Sequence, residues 1–331
     1  QAEDGIRDRS PSRGLGDVYK RQLWRFLCAI PRRAGAIVLN LTGYREKRLL
    51  DVCRKYAVET GAISVVHPQD HIFRFLIENP VFSSLDKAVK YYFQDGQQSA
   101  RMLGHLLFTE MELARSPETT LLEFASGYGC VTRHLAGALS PVNIVACDIH
   151  GAACDFIERT LATNAILSSA RPEDLAIESG SYDAVFALSF FSHMPESTWS
   201  RWLVCLFDKV KPGGYLIFTT QGLQSRKHFG NPVIPENGIW HIPSSEQKDL
   251  DAEDYGNTIA TTEFVRTAVD RHLHQPITML KEAHWWGHQD LYVLRKSDPA
   301  SVSPAPARHA AVSYTHLRAH ETDSYLVCRL L

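Results

Sequence analysis

The residues best suited to chemistry begin at Glu123. It is followed by Phe-Ala-Ser-Gly-Tyr-Gly, which puts glycines at 127 and 129, and a second acid, Asp148, lies 21 residues after Gly127. Glycine lets a backbone come close to a ligand without a Cβ clash. A carboxylate at the end of the following strand can accept hydrogen bonds from both hydroxyls of a ribose. Acid, glycine turn and second acid therefore describe a nucleotide-type site, with Ala125, Ser126 and Ile149 beside the contacts. A glycine pair alone would mean only a tight turn; its spacing to Asp148 gives it weight.

A second set of residues could serve a reacting partner. His193, in Phe190-Phe191-Ser192-His193-Met194, and His241, next to Trp240, carry imidazoles that can take up a proton near neutral pH. Trp240, Tyr255, Trp286 and His288 could form an aromatic wall around a substrate, against the plainer role of packing a lid on the fold. Tyr92 and Gly96, from an earlier helical stretch, could close over the site, where an aromatic ring facing a cation is favourable.

These residues must be positioned by regular elements. From residue 119 short apolar strands alternate with amphipathic helices, the pattern of a mainly parallel sheet covered on both faces. Strands are expected at 120–124, 142–148, 166–169, 182–188 and 214–220, so Glu123 and Asp148 fall at strand ends. The clearest helix is 197–210, which gathers Trp199, Trp202, Leu203, Leu206, Phe207 and Val210 on one face and so marks those tryptophans as core. Lys211-Pro212-Gly213-Gly214 stops it. The segment 221–257 is long, irregular and rich in Gly, Pro and polar residues, as functional insertions often are. A helix at 263–272 and strands at 277–282 and 290–295, the latter two close enough for a hairpin, complete the domain. Upstream, 45–59 reads as helix, and 85–114 as two helices divided around Gln94 to Gly96.

In this combination the chain resembles the class I, seven-stranded S-adenosylmethionine-dependent methyltransferases over about 119–295. Glu123 to Gly129 looks like the family's acidic-x-Gly-x-Gly-x-Gly loop, Asp148 its ribose-binding acid, Tyr182-Asp183-Ala184-Val185-Phe186 its fourth-strand motif, and Lys211 to Gly214 its turn before strand five. The resemblance implies an α/β, Rossmann-like, doubly wound sheet of about seven strands, mostly parallel with an antiparallel last strand. It implies S-adenosylmethionine as cofactor, its methionyl part at the glycine loop and its adenine near Ser169, Ala170, Leu188 and Ser189. His193 would face the mouth of cofactor and acceptor. Two positions depart from the pattern. Ala125 replaces the first loop glycine and requires a negative φ there. Ser168-Ser169-Ala170 lacks the acid often found after strand three.

A small-molecule methyl acceptor is expected. The net charge of −2 gives no electrostatic footprint for nucleic acid, and no apolar run is long enough for a membrane span. The cysteines lack CxxC or Cys/His spacing, which points to free thiols in a reducing, cytoplasmic setting, and no carboxylate/His cluster suggests a metal. The competing readings are an NAD(P)-dependent oxidoreductase, weakened by Thr132 where a third glycine would stand, and an inactive cofactor-binding scaffold.

Both ends of the chain are expected to be foreign. Residues 12–22 and 312–321 can be read from opposite strands of one DNA element that resembles a sequencing-library adaptor. The expected organisation is therefore adaptor at 1–22 and 312–331, a helical extension at 23–118, a methyltransferase domain at 119–297 with its insertion at 221–257, and a linker at 298–311.

Overall fold

The computed structural model describes residues 35–244, 250–251 and 254–298, with side chains from residue 46. The expected adaptor segments and linker lie outside the described residues, apart from residue 298. The chain divides into units 1–51 and 52–331. Of the first, only the start of helix α1 (Gly35–Thr60) is described; the sheet, its helices and the cleft belong to the second.

Two helices precede the sheet. Asp70 caps α2 (His71–Glu78) by accepting the Phe73 N–H, and Ser84 caps α3 (Leu85–His105) by accepting that of Lys87. The expected division of this stretch at Gly96 does not occur: α3 runs through it and ends in one wider turn, Leu106–Glu110. Gly96 serves packing instead, since a Cβ there would stand 2.2 Å from the Cys130 carbonyl oxygen.

Five strands, β1 (Thr120–Phe124), β2 (Asn143–Asp148), β3 (Asn164–Leu167), β4 (Tyr182–Ala187) and β5 (Val210–Gln221), are parallel in the order β3-β2-β1-β4-β5. They are joined through α4 (Thr132–Leu139), α5 (Gly151–Leu161) and α6 (Glu196–Lys209). The order reverses between β1 and β4. There the loops leaving the two strands diverge and open a crevice at the carboxyl edge.

The rest of the sheet comes from the C-terminal part. The hairpin of β8 (Ile277–Trp285) and β9 (Gln289–Arg295) lays β9 antiparallel along β5. The insertion is less irregular than expected. It contains β6 (Ile239–Ile242) and runs into β7 (Asn257–Ala260), which joins the end of β5, so these two short strands extend the expected sheet of about seven to nine. Helix α7 (Thr262–Leu273) follows.

Strand alternation splits the core into two faces. Val185, Ala187, Leu216 and Phe218 meet Trp199, Trp202, Leu203 and Leu206 of α6. Ala184, Phe186 and Ile217 meet Leu103 and Leu107 upstream, Leu135 and Leu139 of α4, and Trp285. Among the described residues no helix is long and apolar enough to cross a membrane.

Candidate functional site

The loop after β1 is built from positive-φ residues. Ala125, Gly127 and Gly129 have φ of 58°, 56° and 79°. At Gly127 a Cβ would meet nothing within 4 Å, so the backbone angle is what calls for glycine; at Gly129 a Cβ would also stand 2.5 Å from Leu161. Ala125 contradicts the expectation of a negative φ. Its methyl group is carried in the left-handed region, at a cost of roughly 1–2 kcal/mol.

Asp148 locks this loop to β2. Its Oδ2 accepts the Gly127 N–H at 2.8 Å, and its Oδ1 accepts the His150 N–H at 3.0 Å and pairs with His150 Nδ1 at 2.7 Å. Glu123 is buried and accepts the Thr132 hydroxyl at 2.6 Å. Burial pushes its carboxyl up to about 8, with the Asp148 charge adding to the rise. Thr132 therefore has a use that glycine could not serve: its hydroxyl satisfies the acid at the strand end.

The upstream helices cover the loop. Arg133 reaches the carbonyl oxygens of Gly129, Ile63 and Val65 at 3.0, 2.9 and 3.0 Å, and the Tyr92 hydroxyl at 3.1 Å. Tyr92 donates its own hydroxyl proton to Asp70 at 2.6 Å. Tyr128 of the loop stacks on His67, with ring centroids 4.6 Å apart. Asp95 accepts the Trp286 indole N–H at 2.6 Å, joining α3 to the β8–β9 hairpin. The two central residues of that turn, Trp286 and Gly287, have φ of 53° and 70°, the sign pattern of a two-residue hairpin loop that glycine or asparagine usually satisfies.

The loop after β4 forms the facing wall. Ser189 is held by Thr219 through its N–H and by Gln289 through its hydroxyl, each at 2.8 Å. His193 donates from Nδ1 to the Gly256 carbonyl at 2.8 Å, because a carbonyl can only accept, so the neutral ring keeps its lone pair on Nε2. The ring stacks on Tyr255, centroids 4.5 Å apart. The backbone is paired as well: Gly256 N–H donates to His193 and Thr258 N–H to Ser192, at 2.9 and 2.7 Å.

One cleft of about 430 Å3 unites these walls. Glu123, Ala125, Ser126, Gly127, Asp148 and Ile149 line it from the first two strands, and Ser169, Ala170, Leu188, Ser189 and His193 from the next two. Tyr92, Tyr255, Trp286 and His288 also border it. Gly129 and Gly96 stand behind the lining, as packing positions. Trp240 and His241 do not line it: β6 pairs with β7 so that His241 Nδ1 meets the Thr258 hydroxyl at 2.8 Å, and Trp240 packs on Phe229.

Sequence reading weighs Thr132 only as the residue in place of a third glycine, and passes over Arg133, Asp95, Gln221 and Gln289 as site residues. Thr132 alone had a local signal, as a hydroxyl at the start of a helix behind a strand-end acid; the others act through partners far away in the chain. Among the described residues no group of three or more His, Cys, Asp or Glu could hold a metal ion.

Residues 122–216 match the family model described as a methyltransferase domain. No curated protein sequence matches the chain. Among solved structures, a Pyrococcus horikoshii protein aligns at 16% identity over 62% of this chain and 95% of its own, with a TM-score of 0.45. A Burkholderia thailandensis 1,6-didemethyltoxoflavin-N1-methyltransferase aligns at 10% identity, 72% and 94% coverage and a TM-score of 0.43. An S-adenosylmethionine-dependent methyltransferase from Clostridium acetobutylicum gives 11%, 62%, 92% and 0.43. The matched segment spans the glycine loop, both strand-end acids and the turn before β5, and the match is to a methyltransferase domain.

Proposed function

We propose that the cleft holds S-adenosylmethionine against the glycine loop and that the enzyme transfers its methyl group to a small-molecule oxygen, nitrogen or carbon acceptor. The observation that carries this reading is the Asp148 carboxylate. It is already oriented by Gly127 and His150, and Oδ2, which accepts the Gly127 N–H, retains a lone pair for a ribose hydroxyl. Gly127 supports the fit, since the space beside its Cα is open. When bound, the cofactor supplies a methyl group activated by its sulfonium.

The chain's own residues then have to align an acceptor in line with that carbon and exclude water. A cleft of about 430 Å3 suits small molecules, whose sites run from roughly 300 to 1,000 Å3. His193 is the group that would take a proton where the acceptor must lose one, because its Nδ1 is committed to Gly256 and Nε2 is the acceptor nitrogen. Tyr92, Ser169, Ala170, Leu188 and Ser189 would border the cofactor, and Tyr255, Trp286 and His288 the acceptor. Residues 119–297 would act as the catalytic domain and 52–118 as its cap.

Calorimetry with S-adenosylmethionine and S-adenosylhomocysteine tests the reading directly; folded protein that binds neither refutes it. Incubation with labelled cofactor and fractionated metabolite extracts identifies the acceptor. A His193→Ala enzyme with full turnover at every pH removes the base role.

A further inference from the structure

The charge of the cleft is one-sided. Among the described residues that line it, Asp95, Asp251 and Asp254 join Glu123 and Asp148, and there is no Lys or Arg. His288 adds no positive charge, because burial, reinforced by His228 alongside, depresses its imidazole to about 3. An acceptor bearing a carboxylate or phosphate would meet Asp95 and Asp148 with no lysine or arginine in the lining.

Asp95 is the best placed of the acids outside the loop. Its neighbour Gly96 packs on Cys130, which fixes this turn of α3 beside the glycine loop. Among the described residues the Trp286 indole is its one hydrogen-bond donor. Burial with so little compensation pushes its carboxyl up to about 7. Asp95 is thus a carboxyl that a ligand cation would satisfy.

Gln221 gives an independent sign. It is 6% exposed and lines the same cleft, and its Oε1 has no hydrogen-bond donor among the described residues. A buried amide oxygen without a donor calls for an N–H or O–H from a ligand. The cleft is also lined by the aromatic residues Phe75, Tyr91, Phe229, Tyr255 and Trp286, a residue type that attracts cations.

We infer that the methyl acceptor is an apolar or aromatic small molecule carrying a protonated amine, which Asp95 holds as counter-ion while Gln221 accepts a further hydrogen bond. The inference rests on the methyltransferase reading above and names the substrate class of the same cleft. Asp254, exposed at the same cleft, favours the approach of such a cation.

The test is calorimetry at pH 8 on the full chain saturated with S-adenosylhomocysteine, titrated with tryptamine and separately with its carboxylate counterpart, indole-3-propionate. Tryptamine binds at least about tenfold more tightly, the size of one charge-assisted contact. Asp95→Asn, which keeps an oxygen for the Trp286 indole, weakens tryptamine about tenfold and leaves S-adenosylhomocysteine within about twofold. Equal or tighter binding of the acid, saturation by neither probe, or an unchanged tryptamine affinity in Asp95→Asn overturns the inference. So does a variant that loses S-adenosylhomocysteine instead, because Asp95 would then serve the cofactor. Wild-type protein that fails to bind S-adenosylhomocysteine overturns the parent reading, and this one with it.

Discussion

Gly127 donates its backbone N–H to Asp148 Oδ2 at 2.8 Å, so the turn after the first strand is fastened to the end of the second by the acid assigned to the ribose. The carboxylate is oriented in advance, which reduces the ordering cost of binding.

Asp148→Ala should remove a charge-assisted contact and lower S-adenosylmethionine affinity by about 1.5–3 kcal/mol. That is a loss of roughly tenfold to 150-fold, read by calorimetry. An unchanged affinity excludes the assignment.

Glu123 should make the ligand-free protein sensitive to alkaline pH. Its folded-state value, about 8, lies above its ordinary 4.5. The protonated side chain therefore stabilises the fold fully below pH 4.5, and that stabilisation is lost as pH rises through about 8. Relative to Glu123→Gln, wild type should lose stability on the order of 1 kcal/mol per pH unit across this window. Urea midpoints of both proteins at pH 5 and pH 8 measure the difference; parallel changes would mean that Glu123 is ionised in the fold.

Ala125→Gly should stabilise the loop. It relieves roughly 1–2 kcal/mol of left-handed strain and gives back about 0.4–1 kcal/mol in unfolded-chain entropy, for a net gain of about 0–1.6 kcal/mol. The thermal midpoint should rise by a few degrees at most. A clear fall would mean that the alanine methyl group contributes packing that outweighs the strain.

Arg133→Ala should cost about 1–3 kcal/mol in urea unfolding, because it strands the buried Gly129 carbonyl oxygen and removes the bonds to the part-buried carbonyls of Ile63 and Val65. Arg133→Lys should recover little of this, since an ammonium cannot reproduce the planar fork. Near-complete rescue by lysine would reduce the role of Arg133 to its charge.

The parallel sheet and the cofactor loop were legible because their signals are local. Thr120 to Phe124 is an apolar strand that ends beside its acid and runs straight into the glycines. Asp148 closes the next strand at a recognisable spacing. Gly96 was misread as a helix break because its reason for being glycine is Cys130, in another element. Ala125 shows the same limit at one residue: the sequence marked the departure, but the sign of φ came from the turn. β6 and β7 span four residues each, too short for their alternation to stand out in an insertion rich in turn residues. Asp95 could not be recognised as a site residue, because its partner Trp286 lies 191 positions away.

The hydrogen bonds from Gly256 and Thr258 to His193 and Ser192 bear on traffic through the cleft. β7 is stitched to the sheet on one side and to this turn on the other. This flank can open only by breaking main-chain pairing, so it acts as a fixed jamb of the cleft.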